Sequence, residues 1–200
     1  MTYSDFSLDA ARKAFGLIIT AAPLFEKVEP LAMTGWLKEA MAKGQQLALV
    51  SEKARSELIV MPILLTSREL SHEAFSIYSG QRLDAEPEKG LAGECDFILT
   101  KTPSVPILQA PIVTIVEAKK NDVESGFGQC AAQMVGAKLF NEKEANNIRA
   151  IFGCVTTGEA WQFLKLEDSA LQMDNRRYYI DRVDMILGVL QAIVASYQTA

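Results

Sequence analysis

The sequence predicts an α/β (α+β) fold: a mixed β-sheet flanked by helices, with a helical segment in front of it. Three observations carry that expectation. Apolar residues in the first third recur at helical spacing. The middle changes to short β-branched and aromatic runs separated by turn residues. A helical apolar stripe then closes the chain. No repeat, linker or low-complexity stretch interrupts the 200 residues, and 49% of them are apolar, so one domain with a sizeable core is expected. The reading sets N-terminal helices at 1–50, the central core at 51–166, and a C-terminal strand and helix at 167–200.

Each element has its local reason. Asp5 or Ser7 caps a first helix that runs through Ile19 and ends before Pro23. A second helix covers Gly35 to Leu49. Ser51 is the expected N-cap of a third, with Glu52 in the first turn, where the helix dipole favours an acid. This helix heads towards Ser67, and Pro62 inside it lacks a backbone donor, which predicts a kink or an early end. Ala74–Ser79 is a short strand, followed by a polar loop from Gly80 to Gly90. Glu94–Thr100 and Pro111–Ala118 are further strands, the second dominated by the β-branched run Ile112-Val113-Thr114-Ile115-Val116. Val123–Phe140 is a helix. Ile148–Thr156 and Trp161–Leu166 form a hairpin through Thr157-Gly158-Glu159-Ala160. Arg177–Ile180 is a last short strand. Asp181 then caps a closing helix with Val183, Ile186, Leu190, Ile193 and Tyr197 on one stripe.

Composition narrows the function classes. A net charge of −5 argues against a chain that coats itself in nucleic acid, because non-specific affinity comes mainly from Lys and Arg neutralising phosphates. A narrow basic site in an acidic surface stays open. Cys95, Cys130 and Cys154 are odd in number and lack metal-ligand spacing, which predicts free thiols in a reducing compartment. The first residues lack the pattern of a signal peptide, and no apolar run is long enough to span a bilayer, so a soluble cytoplasmic protein is expected. His72 is the sole histidine, which leaves little support for a Ser-His-Asp or His-rich metal site. No Gly-rich phosphate loop is present. Trp161 and Phe163 share a strand face and read as core; Arg176 and Arg177, beside Tyr178 and Tyr179, read as a solvated strand edge.

The chemistry gathers around one strand end. Side chains alternate along a strand, so Glu117 and Lys119 share a face while Ala118 points away. Taken alone, a Glu-x-Lys triplet is common and mostly structural. Asp96 precedes another apolar run, and neighbouring strands would bring it to Glu117. Paired carboxylates with an open position suit Mg²⁺, which takes oxygen ligands and keeps several waters. A lysine beside them can stabilise charge building on a phosphate. Glu57 borders or enters the helical stripe Val50, Ala54, Leu58, Met61 and Leu65. The alternative is that it leans to solvent or pairs with Lys53. Gln129 and Gln133 share a helix face, flanked by Gly126 and Gly136. This face suits close approach to the sheet or to a nucleic-acid backbone, though solvated glutamines are the commoner case.

Asp96, then Glu117-Ala118-Lys119 on the next strand, then a Gln-bearing helix resemble the PD-(D/E)xK nuclease superfamily, the restriction-endonuclease-like fold. The resemblance spans roughly residues 50–166 and leaves the first helices unassigned; Cys95 stands where the family name has proline. The stretch Val155-Thr156-Thr157-Gly158-Glu159-Ala160-Trp161-Gln162-Phe163 is also similar to the strand-turn-strand in the nuclease region of type I restriction subunits. The resemblance implies Glu57 as a helix carboxylate, Asp96 and Glu117 as ligands of Mg²⁺ or Mn²⁺, and Lys119 as the catalytic lysine. Gln129 and Gln133 would then face substrate. It implies a nuclease that hydrolyses DNA phosphodiester bonds by metal-activated water. The superfamily also holds members that bind without cutting, so a catalytically inactive module gripping nucleic acid or protein is the rival expectation. An unrelated α/β domain with a fortuitous Glu-Ala-Lys is the third. DNA is the expected partner, with no membrane; a homodimer is open, because small nucleases that cut both strands often pair.

Overall fold

Capping dictates the first element. The computed structural model describes residues 1–146 and 148–198; residues 147, 199 and 200, the last two belonging to the expected 167–200 segment, lie outside the described residues. The Ser7 hydroxyl accepts from Ala10 N at 3.2 Å and starts helix α1 (Leu8–Phe15). Gly16 ends it in a left-handed turn at φ 64°. The sequence predicts this helix through Ile19. Instead Ile18–Ala22 is strand β1, parallel to β7 (Ala170–Asp174), a strand the reading missed. Helix α2 (Gly35–Gly44) is shorter than expected, because its end abuts the backbone of Leu58: a Cβ on Gly44 would lie 2.8 Å from the Leu58 carbonyl oxygen.

The third helix runs as α3 (Glu52–Arg55), a π-helical turn (Ser56–Val60) and α4 (Met61–Leu70). Ser51 caps it, accepting from Ala54 N at 3.1 Å. Pro62 does not end it early. The π turn sits just ahead of the proline, with Met61 N donating to Ser56 O, and the helix continues to Leu70. The extra residue in that turn rotates the buried face. Ile59, Val60, Ile63 and Leu64 enter the core, whereas Val50 and Leu65 of the expected stripe are exposed. None of the expected stripe residues Val50, Ala54, Leu58, Met61 and Leu65 is fully buried.

The remaining strands are β2 (Ser76–Arg82), β3 (Glu94–Thr100), β4 (Ile112–Ala118), β5 (Ala150–Thr156), β6 (Ala160–Glu167) and β8 (Tyr178–Tyr179). With β1 and β7 they make a mixed eight-stranded sheet in the order β1-β7-β6-β5-β4-β3-β2, with β8 pairing β6. The pairs β1·β7 and β4·β5 are parallel; the others are antiparallel. Helix α5 (Phe127–Lys143) is the crossover between β4 and β5, and α6 (Val183–Gln198) closes the chain. Helices cover both faces of this mixed α/β sheet. One core joins α2, the 52–70 helix and α6 to Phe97, Val116, Phe152, Trp161 and Phe163. The other joins α1 and α5 to Ile98, Ile115, Val155 and Leu164. The closing stripe Val183, Ile186, Leu190, Ile193 and Tyr197 is buried throughout, as expected.

Strand β4 carries a bulge. Leu99 pairs with Thr114 but Thr100 pairs with Ile112, leaving Val113 as an extra residue. Ile112 and Ile115 thus both face α5, and the alternation that follows turns Glu117 to the same side.

Candidate active site

The β3–β4 ladder ends at the pair Phe97–Val116. Asp96, one residue beyond, leaves it. Cys95 packs in the α5-side core while Phe97 packs in the other, so the pleat is interrupted between them. Gly80 on neighbouring β2 is left-handed at φ 63°. The break lets the Asp96 carboxylate turn to the end of β4, where Oδ2 accepts from Ala118 N at 2.7 Å. Asp96 is thereby pinned to the residue between Glu117 and Lys119.

Glu117 is 2% exposed, and both its oxygens are occupied. Oε1 accepts from Lys119 Nζ at 2.8 Å, and Oε2 accepts from Gln133 Nε2 at 2.8 Å. The Lys119 ammonium also donates to Gln129 Oε1 at 3.1 Å, while its main-chain N donates to Thr156 O at 2.7 Å. Burial pushes the Glu117 carboxyl up to about 7; the nearby Asp96 charge adds to this, and Lys119 and Gln133 oppose it. Burial also raises the Asp96 carboxyl, against the pull of the Ala118 N–H and of Lys119. For Lys119, burial works to lower the pKa, but the charge and hydrogen bond of Glu117 outweigh it and the net shift is upward. A buried acid and a neighbouring carboxylate, both shifted, mark the strand end as the chemically loaded part of the fold.

The structure brings Asp96, Glu117, Lys119, Gln129 and Gln133 together. Gln133 is fully buried, with its amide on Glu117, so it orients the carboxylate and has no surface from which to reach a substrate. Gln129 is half-buried on Lys119. The small residues beside them serve internal packing. Gly126 lies against Val155 and the Lys119 side chain, and Gly136 lies against the Tyr3 ring, so this helix face is filled by sheet and N-terminal segment.

Glu57 shares a cleft with Asp96 but, among the described residues, none of this group's hydrogen bonds. Its side chain is 61% exposed and lies 3.9 Å from Lys53, the alternative the sequence left open. The helix acid whose charge acts on both Asp96 and Lys119 is Glu52. Glu52, Glu57, Glu94 and Asp96 line a cleft of about 390 Å³ together with Lys53 and Ser56. Sequence reasoning noted Glu52 only as a dipole partner. Helical counting could not find it, because the π turn shifts the phase between Glu52 and the buried face.

Among the described residues, no three His, Cys, Asp or Glu side chains converge on one metal position. Asp96 and Glu117 supply two carboxylates. Mg²⁺ commonly takes one or two carboxylates and completes its shell with waters and substrate phosphates, so this donor set fits it. Each Glu117 oxygen carries one hydrogen bond and keeps a further lone pair for a cation.

Other candidates resolve plainly. Trp161 and Phe163 are fully buried core, and all three cysteines are buried free thiols. Arg177 donates to Glu124 Oε1 at 2.6 Å and to Gln162 Oε1 at 3.1 Å; Arg176 donates to Phe25 O. His72 is exposed in a left-handed turn. Among the described residues, no helix is long and apolar enough to cross a membrane. Compared with known proteins, the chain matches no protein-family model and no curated protein.

Proposed function

We propose that this chain is a Mg²⁺-dependent nuclease of the PD-(D/E)xK type, with a restriction-endonuclease-like fold, hydrolysing DNA phosphodiester bonds. The observation that carries this reading is the buried Glu117–Lys119 pair with Asp96 fastened to the same strand end. Asp96 and Glu117 would hold the cation. Mg²⁺ or Mn²⁺, when bound, supplies a Lewis acid for the phosphoryl oxygen and lowers the pKa of an attacking water. The chain's own residues do the rest. Lys119 presents an ammonium to the charge that develops on the phosphate. Gln133 fixes the orientation of Glu117, and Gln129 fixes that of Lys119. The burial of Glu117 and the partial burial of Lys119 limit screening of these charges by bulk water.

The test is a cleavage screen of the purified chain on single-stranded, duplex and branched DNA, with Mg²⁺, Mn²⁺ or Ca²⁺. Cleavage with Mg²⁺ or Mn²⁺, binding without turnover with Ca²⁺, and loss of activity in Lys119→Ala are expected, because the looser calcium shell positions water poorly. Binding without cleavage under every metal would favour the inactive binding module. Unchanged metal titration in an Asp96→Asn, Glu117→Gln double variant would remove the metal site.

A further inference from the structure

Arg55 is a polar link between the helix that bears Glu52 and the turn after β5, the strand that pairs with the one bearing Glu117. Its side chain is 17% exposed. Nη1 donates to Thr157 O at 2.9 Å and to Glu159 Oε1 at 3.1 Å, across more than a hundred residues of sequence. The turn it grips is itself rigid. Gly158 N donates to Thr156 Oγ1 at 2.9 Å, Ala160 N to Thr157 Oγ1 at 3.1 Å, and Trp161 Nε1 to Gly158 O at 3.2 Å. Gly158, at φ 81°, packs against the side of this helix at Ile59 and Arg55. One residue before Thr157, Thr156 O receives the main-chain N–H of Lys119. Hydrogen bonds joined by one stretch of main chain therefore run from the first turn of the helix, through Arg55 and the turn, to Lys119.

The Arg55 Nε is buried and has no partner among the described residues. An orphaned buried donor is uncommon and calls for an explanation. Thermodynamic economy does not supply one, since an apolar residue would fill the space without an unmet donor. Geometric control does. A planar guanidinium serving two acceptors from one nitrogen fixes direction as well as distance, which an ammonium on a flexible stem does not. Arg55 and Glu52 are three residues apart on the same short helix, so whatever fixes Arg55 fixes the backbone of Glu52.

We infer that Arg55 is a positioning residue: by clamping the 52–55 helix to the 156–160 turn, it sets the separation between Glu52 and the Glu117–Lys119 pair. What that separation serves rests on the nuclease reading; the clamp itself does not. Spin labels at Lys53→Cys and Asn121→Cys report the distance between the helix and the chain just after Lys119. Both positions are exposed, while Cys95, Cys130 and Cys154 are buried and will not take label. The parent should give a narrow distance distribution. Arg55→Ala should broaden or lengthen it, and Arg55→Lys should restore only part. An unchanged distribution in a folded Arg55→Ala overturns the inference. In cleavage assays Arg55→Ala should lower kcat by about tenfold or more with little change in KM. Adding Glu52→Gln should then cost nothing further, because the two act as one unit. Multiplicative losses also overturn it, since a general loss of packing would combine in that way. If the parent neither cuts DNA nor gains stability from Mg²⁺, the nuclease reading fails, and the label distances still decide whether Arg55 holds the spacing.

Discussion

On one side of Glu117, α5 presses against the sheet and spends Gln129 and Gln133 on the Glu-x-Lys pair. Beyond Asp96, which is fastened to the same strand end, the 52–70 helix faces a cleft lined by Glu52, Glu57, Glu94 and Asp96, with Lys53 among them. The first wall is dry and hydrogen-bonded; the second is open and rich in negative charge. The difference separates two tasks. The closed wall holds one carboxylate and one ammonium in fixed orientation, while the open wall gathers like charges whose repulsion a cation would relieve.

The largest expected effect falls on the closed wall. Lys119→Ala should lower the cleavage rate by about 10²–10³-fold, the usual cost of losing a donor aimed at developing charge. Rates on the best substrate of the metal screen check this, and unchanged turnover would move the chemistry elsewhere. Next comes the dependence of stability on pH. The folded-state pKa of Glu117 is raised from 4.5 to about 7, so the folded state keeps a proton that the unfolded chain has released in between. Its contribution is fully present below about 4.5 and is lost as pH rises through about 7, at most roughly 3 kcal/mol in all. Asp96, also raised, acts in the same direction. Denaturant melts at about pH 5 and about pH 8 should show the fall, and Glu117→Gln should flatten it. An equal slope in that variant would assign the effect to other groups.

A smaller effect should come from Gln133→Leu, which keeps the bulk and removes the donor to Glu117 Oε2. The expected cost is about 1–3 kcal/mol where Glu117 is ionised and less where it is protonated. A loss independent of pH would mean that Gln133 matters for packing alone. The smallest effects lie on the open wall. Glu52→Gln and Glu57→Gln should each change metal-free stability by less than about 0.5 kcal/mol. With Mg²⁺ they should diverge: Glu52→Gln should lose part of the thermal gain that the metal gives, and Glu57→Gln should keep it. Equal losses would return Glu57 to the site.

The same two walls differ in how far they could be read in advance. Strand β3 has the bounds its sequence indicated, and β4 differs by one residue, because β-branched runs flanked by turn residues leave little choice. The hairpin at Thr157–Ala160 and the α6 stripe were equally legible. Alternation alone set Glu117 and Lys119 on one face, and helical spacing alone set Gln129 and Gln133 together. The cap and course of the 52–70 helix follow the sequence, but its buried face does not, because periodicity assumes a constant turn and one π turn breaks that assumption. Strand β7 reads Ala-Leu-Gln-Met-Asp, with no β-branched residue, and is preceded by a tight turn with Asp168 at φ 51°. It exists because β6 pairs with one edge through a tight hairpin and β1 covers the other, and the distant β1 pairing leaves no local trace. The turn of Asp96 towards Ala118 N depends on an interrupted pleat, which no residue type announces.

The extra residue at Val113 has a further consequence for how this protein tolerates change. It splits β4 into two stretches whose side-chain phases are set independently. Downstream, pairing with β3 and β5 holds the phase of Glu117. Upstream, Ile112 answers to Asn141, whose side chain binds both its N–H and its carbonyl. An insertion or deletion in the 101–111 connection can therefore be taken up at the bulge without inverting the faces beyond it. The chain is free to vary in length on one side of Val113 while the acid and the amine stay in register on the other.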